Sequence, residues 1–66
     1  MTVSVNGRAI VLPPVASVAS LLAELGVAGP YALVERNGEP VERGDYATVC
    51  LEEGDDLVVA RPVAGG

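Results

Sequence analysis

The residues with the plainest chemical potential are the last two of the sequence, Gly65 and Gly66. Neither carries a side chain, so a diglycine end can thread a channel too narrow for other dipeptides. Its terminal group is an unhindered carboxylate. Such a carboxylate can be activated as an acyl adenylate and then attacked by a sulfur, nitrogen or oxygen nucleophile. A protein ending this way offers its own terminus as the substrate. A second reading stands beside it, because termini are often disordered and glycines collect there without chemical purpose.

Other reactive residue types are scarce. There is no His, which removes the usual neutral-pH general base and the commonest metal ligand. Cys50 is the sole cysteine, so it has no partner for an internal disulfide or a zinc site. It lies in the apolar run Val49-Cys50-Leu51, where a small buried hydrophobe is expected rather than a reactive thiol. Lysine is absent, so an amide formed by the terminus within this chain could use only the α-amino group. The chain is not expected to be an enzyme with its own active site, and no bound metal or cofactor is expected.

The body that must present such a terminus is small. Sixty-six residues make one domain, which buries only about 60% of the surface of its unfolded chain. Half of the residues are hydrophobic and aromatics are limited to Tyr31 and Tyr46, so aliphatic side chains must do the packing. Val3 and Val5 alternate with Thr2 and Ser4, the period of a half-buried strand. Asn6-Gly7 signals a tight hairpin turn into a second strand, Arg8 to Leu12, which Pro13-Pro14 ends.

Ser17 is placed to cap a helix. Val18, Leu21, Leu22 and Leu25 follow on one face of it, and Gly26 stops it. Such a helix has about two to three turns and needs a sheet against its leucine face to persist. Tyr31 to Glu35 reads as a third strand, followed by a second turn at Asn37-Gly38. A short edge segment begins at Val41 and is interrupted at Gly44-Asp45, and Val49 to Leu51 is another short apolar piece. Glu52 to Asp56 reads as a solvated acidic turn, with steering toward a basic partner as the sharper alternative. Leu57-Val58-Val59-Ala60 is a nearly continuous apolar strand of the kind found at a sheet centre.

The last strand should end at about Arg61, where Pro62 interrupts pairing. Residues 62–66 then form a mobile tail reaching at most about 17 Å, beyond a domain spanning residues 1–61. The order of elements fits an α+β fold, the ubiquitin-like β-grasp. It is a mixed sheet of four to five strands with one helix across one face, the first and last strands parallel in the middle.

The formal net charge is −5. That argues against nucleic acid and anionic membranes as partners, because both reward clustered cations, and it suits a basic protein surface or simple solubility. Nothing resembles a signal peptide or a membrane span, so a cytoplasmic location is expected. Arg36, Arg43 and Arg61 could meet acidic groups on a partner, although isolated surface charges more often do little. If Ala32 and Val34 face the helix, alternation turns Leu33 outward. Leu33 and Tyr31 would then mark an interface on the uncovered face, with core packing as the alternative.

Val34-Glu35-Arg36-Asn37-Gly38-Glu39, then Val41 and Arg43, Gly54-Asp55 before an apolar strand, and Val63-Ala64-Gly65-Gly66 together resemble the thiamine-biosynthesis sulfur carrier proteins. No single piece is specific, but the ordered set spans nearly the whole chain. The resemblance implies that an adenylyltransferase related to ubiquitin-activating enzymes uses ATP to adenylate the carboxylate of Gly66. A sulfur donor, such as a cysteine desulfurase, then displaces the adenylate to leave a thiocarboxylate. Thiazole synthase takes that sulfur into the thiazole ring of thiamine. Gly65, Ala64 and Val63 would be recognised in the partner's channel, and Arg61, Leu33 and Tyr31 would belong to the docking surface.

Two departures accompany the resemblance. Many members carry Val-Pro-Arg where this chain has Val41-Glu42-Arg43, and the ending is also similar to that of the molybdopterin synthase small subunit. Sulfur delivery to molybdopterin or to tRNA, and a ubiquitin-like role as a protein modifier, therefore stand as alternatives.

Overall fold

Two Asn-Gly turns organise the sheet. The computed structural model describes residues 1–27 and 32–61. In it, strand β1 (Thr2–Val5) turns through Asn6-Gly7 into β2 (Arg8–Val11), and β3 (Leu33–Arg36) turns through Asn37-Gly38 into β4 (Glu39–Val41). Asn6 and Asn37 have φ of 51° and 52°, and the glycines after them have φ of 83° and 86°. Two consecutive left-handed residues define the hairpin turn whose twist matches the strands it joins, and Asn and Gly tolerate that conformation best.

Helix α1 (Val18–Leu25) lies between the hairpins in sequence. Ser17 caps it as expected: its hydroxyl accepts the Ser20 N–H at 3.1 Å, and the Ser17 N–H donates back to Ser20 Oγ at 2.8 Å. This is a capping box with serine at both ends. Gly26 ends the helix in the left-handed conformation, and its N–H and that of Val27 satisfy the carbonyls of Ala23 and Leu22.

Strand β5 (Asp56–Ala60) completes a sheet of order β2-β1-β5-β3-β4. β5 runs parallel to β1 and antiparallel to β3, while both hairpin pairs are antiparallel. The expected central placement of the first and last strands therefore holds, and with it the ubiquitin-like β-grasp. Val3, Val5, Val34 and Leu57 from the sheet join Val18, Leu21 and Leu22 from the helix in one core. Leu25 packs at its margin, as the last rung of the leucine stripe. Tyr46 is buried with them and donates its hydroxyl to the Ala32 carbonyl at 2.7 Å, which satisfies its polar end inside the core.

Several local expectations shift. β3 begins at Leu33 and runs through Arg36, and the segment after β4 is a 3₁₀ turn at Arg43–Asp45. Val49 to Leu51 forms no strand; it makes one isolated antiparallel bridge between Cys50 and Ser17. That bridge corrects the expectation for Cys50. Leu51 is buried and Val49 packs against the core, so alternation turns the intervening Cys50 side chain outward, and it is exposed.

Candidate functional site

The tail residues Val63, Ala64, Gly65 and Gly66 lie outside the described residues, as does Tyr31. What the structure describes is the part of the fold that precedes the tail residues in sequence. Its axis is β5, the strand that leads through Arg61 to Pro62. β1 and β3 grip β5 from either side, and a side chain extends the grip on the β1 flank. β1 ends at Val5, yet the Asn6 N–H still reaches the Leu57 carbonyl at 2.9 Å. The Asn6 amide then continues the ladder. Its Oδ1 accepts the Val59 N–H and its Nδ2 donates to the Val59 carbonyl, each at 2.9 Å. A side-chain amide thus replaces a backbone position that the turning chain no longer offers, within two residues of Arg61. Turn propensity alone gave Asn6 a role in the hairpin; its partner in β5 is 53 positions away.

The sheet face opposite the helix carries the second part of the site. Ala32 and Val34 are buried and Leu33 between them is 55% exposed. Leu33 lies opposite Ala60, and Glu35 opposite both Val58 and Pro40. Alternation along each strand puts all five on the uncovered face. Leu33, Pro40, Val58 and Ala60, with Val41, line a shallow depression of about 280 Å³. Val58 is 47% exposed, so it joins Leu33 on this exposed apolar face, and sequence reading did not single it out. The run Leu57 to Ala60 is apolar at every position, and a uniform run does not reveal which members face outward.

The charged residues sort differently from expectation. Asp55 is buried rather than part of a solvated turn, and Arg36 is not an isolated surface charge. Arg36 Nε donates to Asp55 Oδ2 at 2.9 Å, Asn37 Nδ2 donates to Oδ1 at 3.1 Å, and the Glu52 N–H donates to Oδ2 at 2.8 Å. Asn37 Oδ1 also accepts the Asp56 N–H at 2.9 Å. Burial pushes the Asp55 carboxyl up, but the Glu52 N–H, the Asn37 amide and the Arg36 guanidinium together hold it below its ordinary value of 3.8. Arg43 and Arg61 are exposed. Among the described residues there is no cluster of His, Cys, Asp or Glu that could hold a metal ion, and no helix is long and apolar enough to cross a membrane.

Comparison with known proteins places this platform. A family model described as the ThiS family matches residues 2–66. The chain belongs to the ThiS family. Its fold matches the crystal structure of a thiamine biosynthesis protein (ThiS) from Geobacter metallireducens, with a TM-score of 0.82 and 32% identity over the whole of both chains. The solution structure of a thiamine biosynthesis protein from the same organism gives a TM-score of 0.84 at 32% identity, over all of this chain and 88% of that one. A thiazole synthase from Paramagnetospirillum magneticum is 36% identical across all 66 residues, which span only 20% of that protein's length.

Within the ThiS family match, the residues that carried the resemblance divide by role. Arg36 and Asn37 both bind Asp55 and form scaffold with it. Gly65 and Gly66 stand within the matched span.

Proposed function

We propose that the chain is a sulfur carrier whose Gly66 carboxylate is the working group, in sulfur transfer for thiazole formation in thiamine biosynthesis. The observation that carries this reading is the ThiS family match that runs through Gly66, on a fold whose central strand leads directly to the tail. Residues 1–61 act as the handle and residues 62–66 as the presented tail. Catalysis belongs to partner enzymes, in the cytoplasm where ATP is at hand.

The chemistry is economical for a chain without His. The Gly66 carboxylate oxygen attacks the α-phosphorus of ATP on an adenylyltransferase related to ubiquitin-activating enzymes, and pyrophosphate leaves. A carboxylate is a poor electrophile, and the acyl adenylate gives it a good leaving group. A persulfide sulfur supplied from a cysteine desulfurase or similar enzyme forms the C–S bond as AMP leaves, and a thiol reductant then cleaves the S–S bond of the acyl disulfide to release the thiocarboxylate; a sulfide donor gives it in one step. The resulting thiocarboxylate is a better nucleophile than the carboxylate it replaces, so no general base on the carrier is required. Gly65 and Gly66 admit the partner's walls to the backbone without a Cβ clash, and Val63 and Ala64 serve as shape-matched spacer.

Thiazole synthase is the favoured acceptor. One polypeptide named thiazole synthase contains, within a fifth of its length, a segment like this entire chain, which supports a direct pairing of carrier and synthase. The test is incubation with the host's adenylyltransferase, ATP and a sulfide source, read by intact mass. Replacement of one oxygen by sulfur is expected. Absence of both the adenylate and the thiocarboxylate overturns the reading, and capture of the chain in amide-linked higher-mass species would favour a protein modifier instead.

The uncovered sheet face supplies a docking surface, with Leu33, Val58 and Ala60 on it; Tyr31 and Arg61 are also assigned to the partner interface. Leu33→Asp is expected to weaken binding to the adenylyltransferase by about tenfold or more, the cost of a polar group at an apolar contact. Because Leu33 is 55% exposed in the free chain, its thermal stability should change little. Titration calorimetry alongside a melting curve separates the two effects.

A further inference from the structure

A second groove lies at the same end of β5 on the helix side of the sheet. Its floor is apolar, with Val5, Ile10, Leu25 and Val59, and Arg8 and Arg61 stand in its wall around a space of about 370 Å³. The two arginines come from opposite ends of the sequence. Arg8 opens β2 opposite Val5, and Arg61 follows the last residue of β5. Both are exposed, and among the described residues neither forms an ion pair.

This arrangement reverses the charge of its surroundings. The chain has nine acidic residues and four basic ones, all arginine. Arg36 is committed to Asp55, and Arg43 lies in the 3₁₀ turn beside a different hollow, lined by Ala19, Leu22 and Tyr46. Half of the cations of an acidic protein therefore converge on one groove, at the residue that precedes the tail.

The geometry points to this groove as a second docking surface, for an acidic segment of the enzyme that receives the tail. The inference rests on the sulfur-carrier reading. Charge selects the partner segment, because carboxylates beside Arg8 and Arg61 complement a local positive site on a chain whose net charge is −5. The apolar floor selects a peptide over a free phosphate or nucleotide, since Ile10, Leu25 and Val59 reward an apolar side chain set among the carboxylates. With Leu33 and Val58 held on the opposite face, the enzyme grips β5 from both sides just before the tail begins. Such a grip limits the angles at which the tail can enter the channel.

The test is binding of the intact chain to the host's adenylyltransferase without ATP, for wild type, Arg8→Glu, Arg61→Glu, the double variant and Arg43→Glu, at low and raised salt. Arg8→Glu and Arg61→Glu are each expected to raise Kd about fivefold, mainly through slower association, and to flatten the salt dependence. Arg43→Glu should stay within about twofold, as an exposed charge outside the contact. A double variant within about twofold of wild type, or an equal loss in Arg43→Glu, overturns the groove while leaving the carrier reading intact. If the double variant melts lower than wild type, the neutral pair Arg8→Gln and Arg61→Gln decides by the same criterion. Wild type that neither binds the enzyme nor accepts adenylate from it overturns the carrier reading and this inference together.

Discussion

Deletion of Gly66 is expected to lower the adenylation rate at least about a hundredfold and to leave the fold untouched. Removing one residue withdraws the terminal carboxylate by about 3.3–3.6 Å along an extended tail. A displacement of about 1 Å at a reacting centre already costs about a hundredfold. A carboxylate held a full residue short of the α-phosphorus should therefore fail to react at a useful rate. Gly66→Val tests the complementary requirement. It keeps the reach but adds a β-branched side chain to a channel argued to accept only backbone. Pyrophosphate release with the host's adenylyltransferase measures the rate. Wild-type kinetics in the deletion variant would remove Gly66 from the mechanism. Unchanged melting of both variants is expected, since Gly66 lies five residues beyond Arg61 and every packed core contact described involves residues before it.

Asp55→Ala carries the largest expected effect on stability. The change leaves the Arg36 guanidinium without its carboxylate and the Glu52 N–H and Asn37 amide without their acceptor. Breaking a buried pair by removing one partner costs about 3–5 kcal/mol; because the Arg36 side chain is 26% exposed, about 2–4 kcal/mol is expected here. A chain of this size has only about 3–10 kcal/mol in total, so the variant should be near the edge of folding at 25 °C.

The same carboxyl gives the pH dependence. Its pKa is lowered in the folded state, so the unfolded chain binds the proton more readily. Asp55 therefore contributes stability that is fully present above its ordinary value of 3.8 and is lost as pH falls through the lower folded value. Urea unfolding at pH 7 and at pH 3 measures both effects. Asp55→Asn should narrow the difference between the two pH values, and an Asp55→Asn protein with the full wild-type pH dependence would assign the acid sensitivity to other carboxylates.

The network around Asp55 also shows where sequence reading runs short. Asn37-Gly38 and Gly54-Asp55 are ordinary turn signals when read along the chain. Their joint function depends on contacts between positions 18 and 19 apart, Asn37 with Asp55 and Arg36 with Asp55. A run of four carboxylates in five residues, Glu52 to Asp56, looks uniformly solvated until the fold brings one cation and one amide to one member of it. Cys50 erred in the opposite direction. Its apolar neighbours suggested burial, but those neighbours occupy the inward positions of an alternating segment and so exclude it.

The central face of the site divides in the same way. Leu33 was readable as outward only on the condition that Ala32 and Val34 face the helix, with core packing as the alternative, and the burial of those two residues meets the condition. Val58 was not, because every residue from Leu57 to Ala60 is apolar and alternation has nothing to contrast. Asn6 carried a turn signal strong enough to hide its second role as a rung of the β1–β5 ladder.

By itself the sequence determined the features set by neighbouring residues: the two hairpin turns and the capped leucine-striped helix. These depend on local sterics and periodicity, which operate over a few residues. The tertiary structure alone decided which carboxylate is buried, which valine of the central strand faces outward, and that Arg8 and Arg61 share one groove beside the tail. Each of those depends on residues distant in sequence meeting in space, and a linear pattern carries no record of such meetings.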